Sequence, residues 1–433
     1  MIKQVQLNSL FETTVSEIKK QYLSDDRPWI IGFSGGKDST VVLQLTLYAL
    51  AEIEKSRRHK KIYVLSSDTL VEPPNIKDYL ESTFNAIRLQ AGKNDLPVTV
   101  KIVTPNIADT FFVNLIGRGY PAPNRWFRWC TDRLKIRPST ELISGIVKEH
   151  GSVILLLGTR ISESSQRAAS MKNRQTNYRG LNPHTTLPST FVYTPIANWS
   201  NDDVWEYLLT TPPPWGRNHL FLLELYKQAN SGECPLVVDR NTPSCGNSRF
   251  GCWVCTVVTL DRSMQGFIDS GEEWMQPLLE FRNWLAMLRN DKEARMTRKR
   301  NGRQGVGPFT SETRQKILKR LFQVEKTVNI TLINDEELWH IQRIWAEEWD
   351  ILFTVFDIAQ KDGRMLKMEK NEIFSDSELK ALSKICKEER IELDLVRALL
   401  NIEHEYRFHS RKYGMKNKLR DVLEKWTLKD EVA

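Results

Sequence analysis

The 433-residue sequence has no run approaching the roughly 20 apolar residues needed to cross a bilayer, which excludes an ordinary membrane-spanning helix. Its first twenty residues, MIKQVQLNSLFETTVSEIKK, form an amphipathic helix pattern without the apolar centre of a signal peptide. The expected location is therefore cytoplasmic, with no membrane partner. No convincing internal repeat is visible. Cysteine is scarce: four of the six (Cys234, Cys245, Cys252 and Cys255) lie within residues 234–255, and Cys130 and Cys386 stand apart. In a cytosolic chain such clustering favours metal or redox chemistry over disulfides. Charge is not one-sided either. The 62 basic and 54 acidic residues leave +8, which suits a polyanionic partner but is shared by many ordinary enzymes.

Hydrophobic residues make up 40% of the chain, with 13 Trp and 17 Phe, enough for a real interior and for two or three domains. Nearly continuous apolar runs at 29–34, 61–68, 98–105, 153–160 and 191–196 read as strands covered on both faces. Between the first two, residues 40–55 carry helical spacing. Strand, helix and strand in alternation predict an α/β fold with a mostly parallel sheet and helices on both faces. After TPPPWGR (211–217) a Gly/Cys/Pro/Asn/Ser-rich segment at 230–255 shows little periodicity. Helical patterns resume near 263, break at a loop over 299–309, and restart with a capping-box-like region at Ser311–Arg314. The expected division is a nucleotide-binding domain at 1–208, a cysteine-rich segment with following helices at 209–310, and a helical domain at 311–433.

WIIGFSGGKDST (29–40) sets Ser34, Gly35, Gly36, Lys37, Asp38 and Ser39 at the end of the first strand. Ligands of open parallel sheets collect at such ends. The glycines let backbone N–H groups approach an anion, and the following helix adds unpaired N–H groups and its positive dipole end. The loop is built to hold phosphate. It is not a Walker A loop, because Ile31 stands where that pattern needs glycine and Asp38 where it needs Ser or Thr.

SGGKDS resembles the PP-loop of the ATP pyrophosphatases, whose members bind an adenine nucleotide and often cleave ATP between its α- and β-phosphates. SDTLVEPPNI (67–76) resembles the Asp-Thr-Gly-x-Glu-Phe-Pro strand end of PAPS reductases, with Leu70 in place of the usual glycine. GTRISESSQRA (158–168) is similar to their Gly-x-Arg-x-x-Glu-Ser-x-x-Arg-Ala motif, and PIANWSNDDVWEYL (195–208) to their Pro-Leu-x-x-Trp stretch. The Glu-Cys-Gly-x-His nucleophile of sulfonucleotide reductases is missing, and Cys386 sits in a helical pattern that suits a buried structural thiol. Simple sulfonucleotide reduction is not expected.

CGNSRFGCWVC (245–255) spaces its thiols C-x6-C-x2-C, a grip for zinc or an iron–sulfur centre, and Cys234 can complete a local four-thiolate zinc site. NRWFRWCTDRLKIRP (124–138) is similar to the tandem-cysteine region of cluster-bearing APS reductases, with Trp129 where the first cysteine stands. That resemblance implies a [4Fe–4S] cluster on Cys130, Cys245, Cys252 and Cys255, with Trp126, Trp129 and Trp253 excluding water from it. In combination these strings resemble the DndC family of DNA phosphorothioation proteins.

The resemblance implies that ATP adenylates a backbone phosphate, with pyrophosphate leaving, so that sulfur replaces a non-bridging oxygen. Ser34, Gly35, Gly36, Lys37, Asp38, Ser39, Asp68, Gly158 and Arg160 would bind the nucleotide, and Lys37, Asp38 and Arg160 would act in catalysis. Asp38 either orients Lys37, holds Mg²⁺, or opposes the helix dipole. Asp68 is a candidate for the metal or the ribose, and Arg160 and Arg167 for a phosphate. Implied partners are double-stranded DNA, a cysteine desulfurase as sulfur donor, and DndD- and DndE-like proteins, in a possible oligomer. Two basic stretches, 294–305 and 407–420, suit phosphate contacts or, equally, a solvated helix face. The competing readings are a tRNA thiolation enzyme and a non-catalytic zinc scaffold.

Overall fold

The computed structural model describes residues 2–163, 180–229, 251–349, 355–364, 366, 376–389, 391–406 and 414–430. Two compact units divide the chain: Met1–Phe111 with Pro121–Asp291, and Phe112–Tyr120 with Lys292–Ala433.

The first unit is built on strands β1 (Trp29–Gly32), β2 (Ile62–Ser67), β3 (Val98–Val103), β4 (Val153–Leu156), β5 (Asn182–Pro183) and β6 (Thr190–Tyr193). Their order is β3-β2-β1-β4-β6-β5, with every pairing parallel except the short β5 against β6. All of β1 and β4 is buried, which explains why their sequences read as unbroken apolar runs rather than alternations. All five expected positions hold parallel strands, which start within one residue of the expected place and stop one to four residues sooner; β3, expected to be covered on both faces, is instead an edge strand with no buried residue. The two-residue β5 is too short to leave a periodicity.

Helix α1 (Ile2–Tyr22) packs on α2 (Lys37–Ala51). Residues of α2 are buried almost all round, and Val41, Val42, Leu45 and Leu47 join Phe33, Ile62 and Val64 in one core cluster. Each such side chain contributes roughly 1.5–3 kcal/mol on burial. Helix α3 (Pro74–Lys93) starts on a proline whose missing N–H is not needed there. Helix α4 (Arg137–His150) ends at Gly151, φ 78°, a left-handed C-terminal stop. Further on, α5 (Asn201–Thr210) opens with a full capping box from Ser200 and Asp203, and α6 (Leu220–Ala229) follows. The helices that resume after the cysteines are α7 (Arg262–Asp269), capped by Asp261, and α8 (Gln276–Leu288).

In the second unit, Phe309 N–H bonds to Gly119 O at 2.7 Å and Trp345 Nε1 to Ile116 O at 3.0 Å, tying the short excursion 112–120 to the C-terminal residues. The expected loop at 299–309 carries two isolated antiparallel bridges, Arg295 with Phe309 and Arg298 with Gln304. The next helix, Ser311–Val328, is capped one residue earlier than expected, by Thr310, whose hydroxyl accepts from Thr313 N–H.

Candidate active site

Strand order reverses between β1 and β4: successive strands run outward from β1 on one side, and from β4 on the other. A crevice outside the carboxyl ends of these two strands is where open α/β sheets bind ligands. The loop 33–36 leaves β1 there and residues 157–160 leave β4 there.

Backbone geometry at this junction demands glycine twice. Gly35 has φ +77°, and a Cβ on it would fall 2.3 Å from Leu80 Cδ2. A Cβ on Gly158 would fall 2.7 Å from the carbonyl carbon of Asp38. The β4 exit thus lies directly on the first turn of α2.

Gly36 is the N-cap of α2 and, lacking a side chain, makes no capping hydrogen bond of its own. Instead Lys37 N–H donates to the Tyr226 hydroxyl at 3.3 Å. Ser34 and Ser39 hydroxyls lie 3.1 Å apart, Ser39 donates to Gly36 O at 3.0 Å, and Gly36 N–H donates to Ser34 at 3.4 Å. The loop is thereby wound on itself.

Asp38 sits between two cations. Its Oδ2 accepts from Lys37 Nζ at 2.8 Å and its Oδ1 from Arg160 Nε at 2.5 Å. Asp38 is 1% exposed and Arg160 3%. Lys37 and Arg160 thus meet on one buried carboxylate beside the N-terminus of α2, whose positive dipole end favours an anion. Arg160 is held in turn by Ser162 Oγ at 3.0 Å and Trp199 O at 3.4 Å. Of the expected nucleotide residues, Ser34 to Ser39, Gly158 and Arg160 come together. Arg167 lies outside the described residues.

Asp68 lies one strand over, at the end of β2, and its Oδ1 accepts Leu70 N–H at 2.8 Å. Leu70 itself has φ +65°, the conformation that the glycine of the resembled motif adopts freely. Beside them Glu72, absent from the expected set, accepts from Thr69 Oγ1 at 2.6 Å and Thr69 N–H at 3.0 Å. Burial, together with the Asp68 charge, pushes the Glu72 carboxyl up to about 7, against the pull of Lys135.

The cysteine segment joins the site at this strand end. Cys252 Sγ is 3.3 Å from Thr69 Oγ1, and Trp253 N–H donates to Val71 O at 3.0 Å. A turn closed by Cys255 N–H on Cys252 O, 2.9 Å, sets the two thiols of the C-x2-C pair on one bend. Buried Arg282 clamps the residues after it, with Nε on Cys255 O at 2.7 Å and further bonds to Val258 O and Thr259 O. Cys130 comes from a helical turn, Trp129–Thr131, that runs into a π-turn at Asp132–Ile136. Its approach is tied to the same bend, because Pro123 O accepts from Thr256 Oγ1 at 2.6 Å and from Arg289 Nη1 at 2.6 Å.

Three thiols on two linked segments fit a soft metal centre in donor chemistry. Among the described residues, no three His, Cys, Asp or Glu side chains gather into a metal site. Cys245 and Cys234 lie outside the described residues. Of the three tryptophans near the expected ligands, Trp129 is buried and stacked on Phe111, ring centroids 5.3 Å apart, and Trp253 is buried against Phe281. Trp126 is 89% exposed and shields nothing. Cys386 is buried in the helix Asp376–Glu388, as a structural thiol should be.

Glu72, Thr69, Tyr226 and Arg282 escaped the sequence reading. The glutamate in the resembled strand-end motif was a usable signal for Glu72. Tyr226 and Arg282 left none, since each reaches its partner only through the fold.

A family model for the phosphoadenosine phosphosulfate reductase domain matches residues 28–258. The chain belongs to that family. It is also similar to an uncharacterised protein of Methanocaldococcus jannaschii, 26% identical over 267 residues, which are 61% of this chain and 44% of that one. The chain therefore spans less than half the length of this relative. Among solved structures it is similar to a PAPS reductase from Candida auris in complex with phosphate, with 16% identity, 51% of this chain and 91% of that chain covered, and TM-score 0.30. It is also similar to the U34-tRNA thiolase NcsA from Methanococcus maripaludis with its [4Fe–4S] cluster, with 12% identity, 68% and 82% covered, and TM-score 0.29. Among the described residues, no helix is long and apolar enough to cross a membrane.

Proposed function

We propose that this protein uses ATP to activate a DNA backbone phosphate and that sulfur then replaces one non-bridging oxygen. The observation that carries the reading is the attachment of the Cys252–Cys255 bend to the end of β2, one strand from the buried Lys37–Asp38–Arg160 cluster. A nucleotide site and a thiol-bearing segment are built on adjacent strand ends.

A non-bridging phosphate oxygen attacks the α-phosphorus of ATP, the α–β bond breaks, and pyrophosphate leaves. Lys37, Arg160 and the positive dipole end of α2 stabilise the charge that develops on the leaving group. Sulfur at the oxidation level of sulfide then attacks the activated phosphorus, and AMP departs with the oxygen. A persulfide from a cysteine desulfurase meets that balance when a second thiol attacks its inner sulfur: the S–S bond breaks, the outer sulfur leaves as sulfide, and the two thiols end as a disulfide. Asp38 or Asp68 would hold Mg²⁺, which when bound supplies positive charge toward the departing pyrophosphate. Cys130, Cys245, Cys252 and Cys255 would hold a [4Fe–4S] cluster, which when bound supplies thiophilic iron for keeping sulfide. DndD- and DndE-like proteins are the companions this reading implies.

Deleting the gene and digesting genomic DNA tests it. Phosphorothioate linkages should vanish while thiolated tRNA nucleosides persist. Loss of the tRNA nucleosides with the DNA linkages unchanged replaces this reading with tRNA thiolation, and colourless protein holding stoichiometric zinc replaces the cluster.

A further inference from the structure

Trp126 is the most exposed large hydrophobic side chain among the described residues, at 89%. Leaving an indole in water forfeits its burial energy, so a rigid, exposed one invites the question of what covers it. The backbone beneath it is well held. Asn124 Oδ1 accepts both Trp126 N–H and Phe127 N–H at 2.8 Å, and Asn124 N–H donates to Phe127 O at 3.2 Å. Just before this turn, Pro123 O is the acceptor shared by Thr256 and Arg289. The indole is therefore presented from a turn bolted to the residues that follow Cys255, four positions before Cys130.

Its neighbours are cationic and aromatic. The Arg125 guanidinium lies 5.6 Å from the Trp126 ring centroid, Arg128 follows two positions on, and Phe127 is 42% exposed. No acidic residue occurs between Pro121 and Thr131. A flat apolar ring flanked by arginines matches one kind of surface: a base with its phosphates.

We propose that Trp126 is a stacking platform for an unpaired base of a DNA strand, with Arg125 beside it for the adjoining phosphate. The choice of DNA rests on the function proposed above; the stacking itself rests on the exposed, anchored indole. A base displaced from a duplex onto Trp126 fixes the strand against the cysteine-bearing bend, and so sets which phosphate is offered.

The experiment is equilibrium binding by fluorescence anisotropy, without ATP, of the full-length protein to a labelled 12-nucleotide DNA strand, its abasic analogue, its duplex and the RNA of the same sequence. Trp126→Ala should weaken binding of the intact strand about tenfold, and Trp126→Phe distinctly less. Both proteins should bind the abasic strand equally. Arg125→Ala should weaken intact and abasic strands alike and lower the salt slope by about one. Equal affinity of wild type and Trp126→Ala for the intact strand overturns the proposal. So does an equal loss on the abasic strand, tighter binding of RNA than DNA, or a self-association of the wild type that Trp126→Ala abolishes. Because ATP is absent, a failure of the phosphorothioation reading leaves this result standing, and a failure here leaves that reading to its own genomic test.

Discussion

Arg160 Nε and Asp38 Oδ1 meet at 2.5 Å, joining the exits of β4 and β1 across 122 positions of sequence. Both groups are buried, so each depends on the other for its solvation. Asp38→Asn leaves Lys37 and Arg160 as buried cations without their carboxylate, and should cost about 3–5 kcal/mol in urea unfolding. Pyrophosphate release from ATP should be lost with it. The pair Asp38→Leu with Arg160→Met should recover part of the stability and none of the ATP cleavage. Full activity in Asp38→Asn would remove the cluster from the chemistry.

The Tyr226 hydroxyl accepts the Lys37 N–H, which on the proposed function would instead face a phosphate oxygen. Tyr226→Phe deletes this competing acceptor, worth roughly 1 kcal/mol net, a factor of about five. The ATP dissociation constant should tighten by about that factor in titration calorimetry. Weaker binding would mean that the hydroxyl contacts nucleotide rather than displacing it.

Leu70 occupies the left-handed region at φ +65°, and its side chain is 40% exposed. Leu70→Gly removes a conformational cost of about 1–2 kcal/mol, partly offset by the greater freedom of glycine in the unfolded chain. The urea midpoint should rise by the equivalent of about 1 kcal/mol. A fall would show that packing at Leu70 outweighs its backbone strain.

Burial holds the His219 imidazole down at about 4, with its Nε2 2.8 Å from Gln44 Oε1. Between pH 6.5 and 4 the unfolded chain therefore binds a proton that the folded one does not. This contribution is intact above pH 6.5 and is lost as pH falls through that window, on the order of 2 kcal/mol by pH 4.5. In His219→Gln the drop in unfolding free energy from pH 7 to 4.5 should shrink by that amount. An unchanged drop would place the acid sensitivity elsewhere.

Cys130→Ser, Cys252→Ser and Cys255→Ser should each lose most bound iron and the brown colour on anaerobic purification, whereas Cys386→Ser should keep both. Iron retained in Cys130→Ser would make the C-x2-C region self-sufficient, as a local zinc-type site is.

The sequence by itself determined the five parallel strands and the glycine turn after the first of them, because both depend on local chemistry. A strand covered on both faces must be apolar along its whole length, and a backbone that must turn at φ +77° beneath Leu80 admits only glycine. The Leu70 substitution was likewise legible as a departure, though its positive φ was not.

Tertiary structure decided what meets what. Thr69 reaching Cys252, Tyr226 reaching the α2 N-terminus and the excursion 112–120 joining the C-terminal unit all join residues far apart in the chain. The same holds for the basic run 294–303. There Arg295 is spent on Gly307 O and the Phe309 ring, and Arg300 on Arg118 O and Glu348. A charge written in the sequence says nothing of whether a carbonyl or carboxylate has already claimed it, because that partner is chosen by the packing of distant elements.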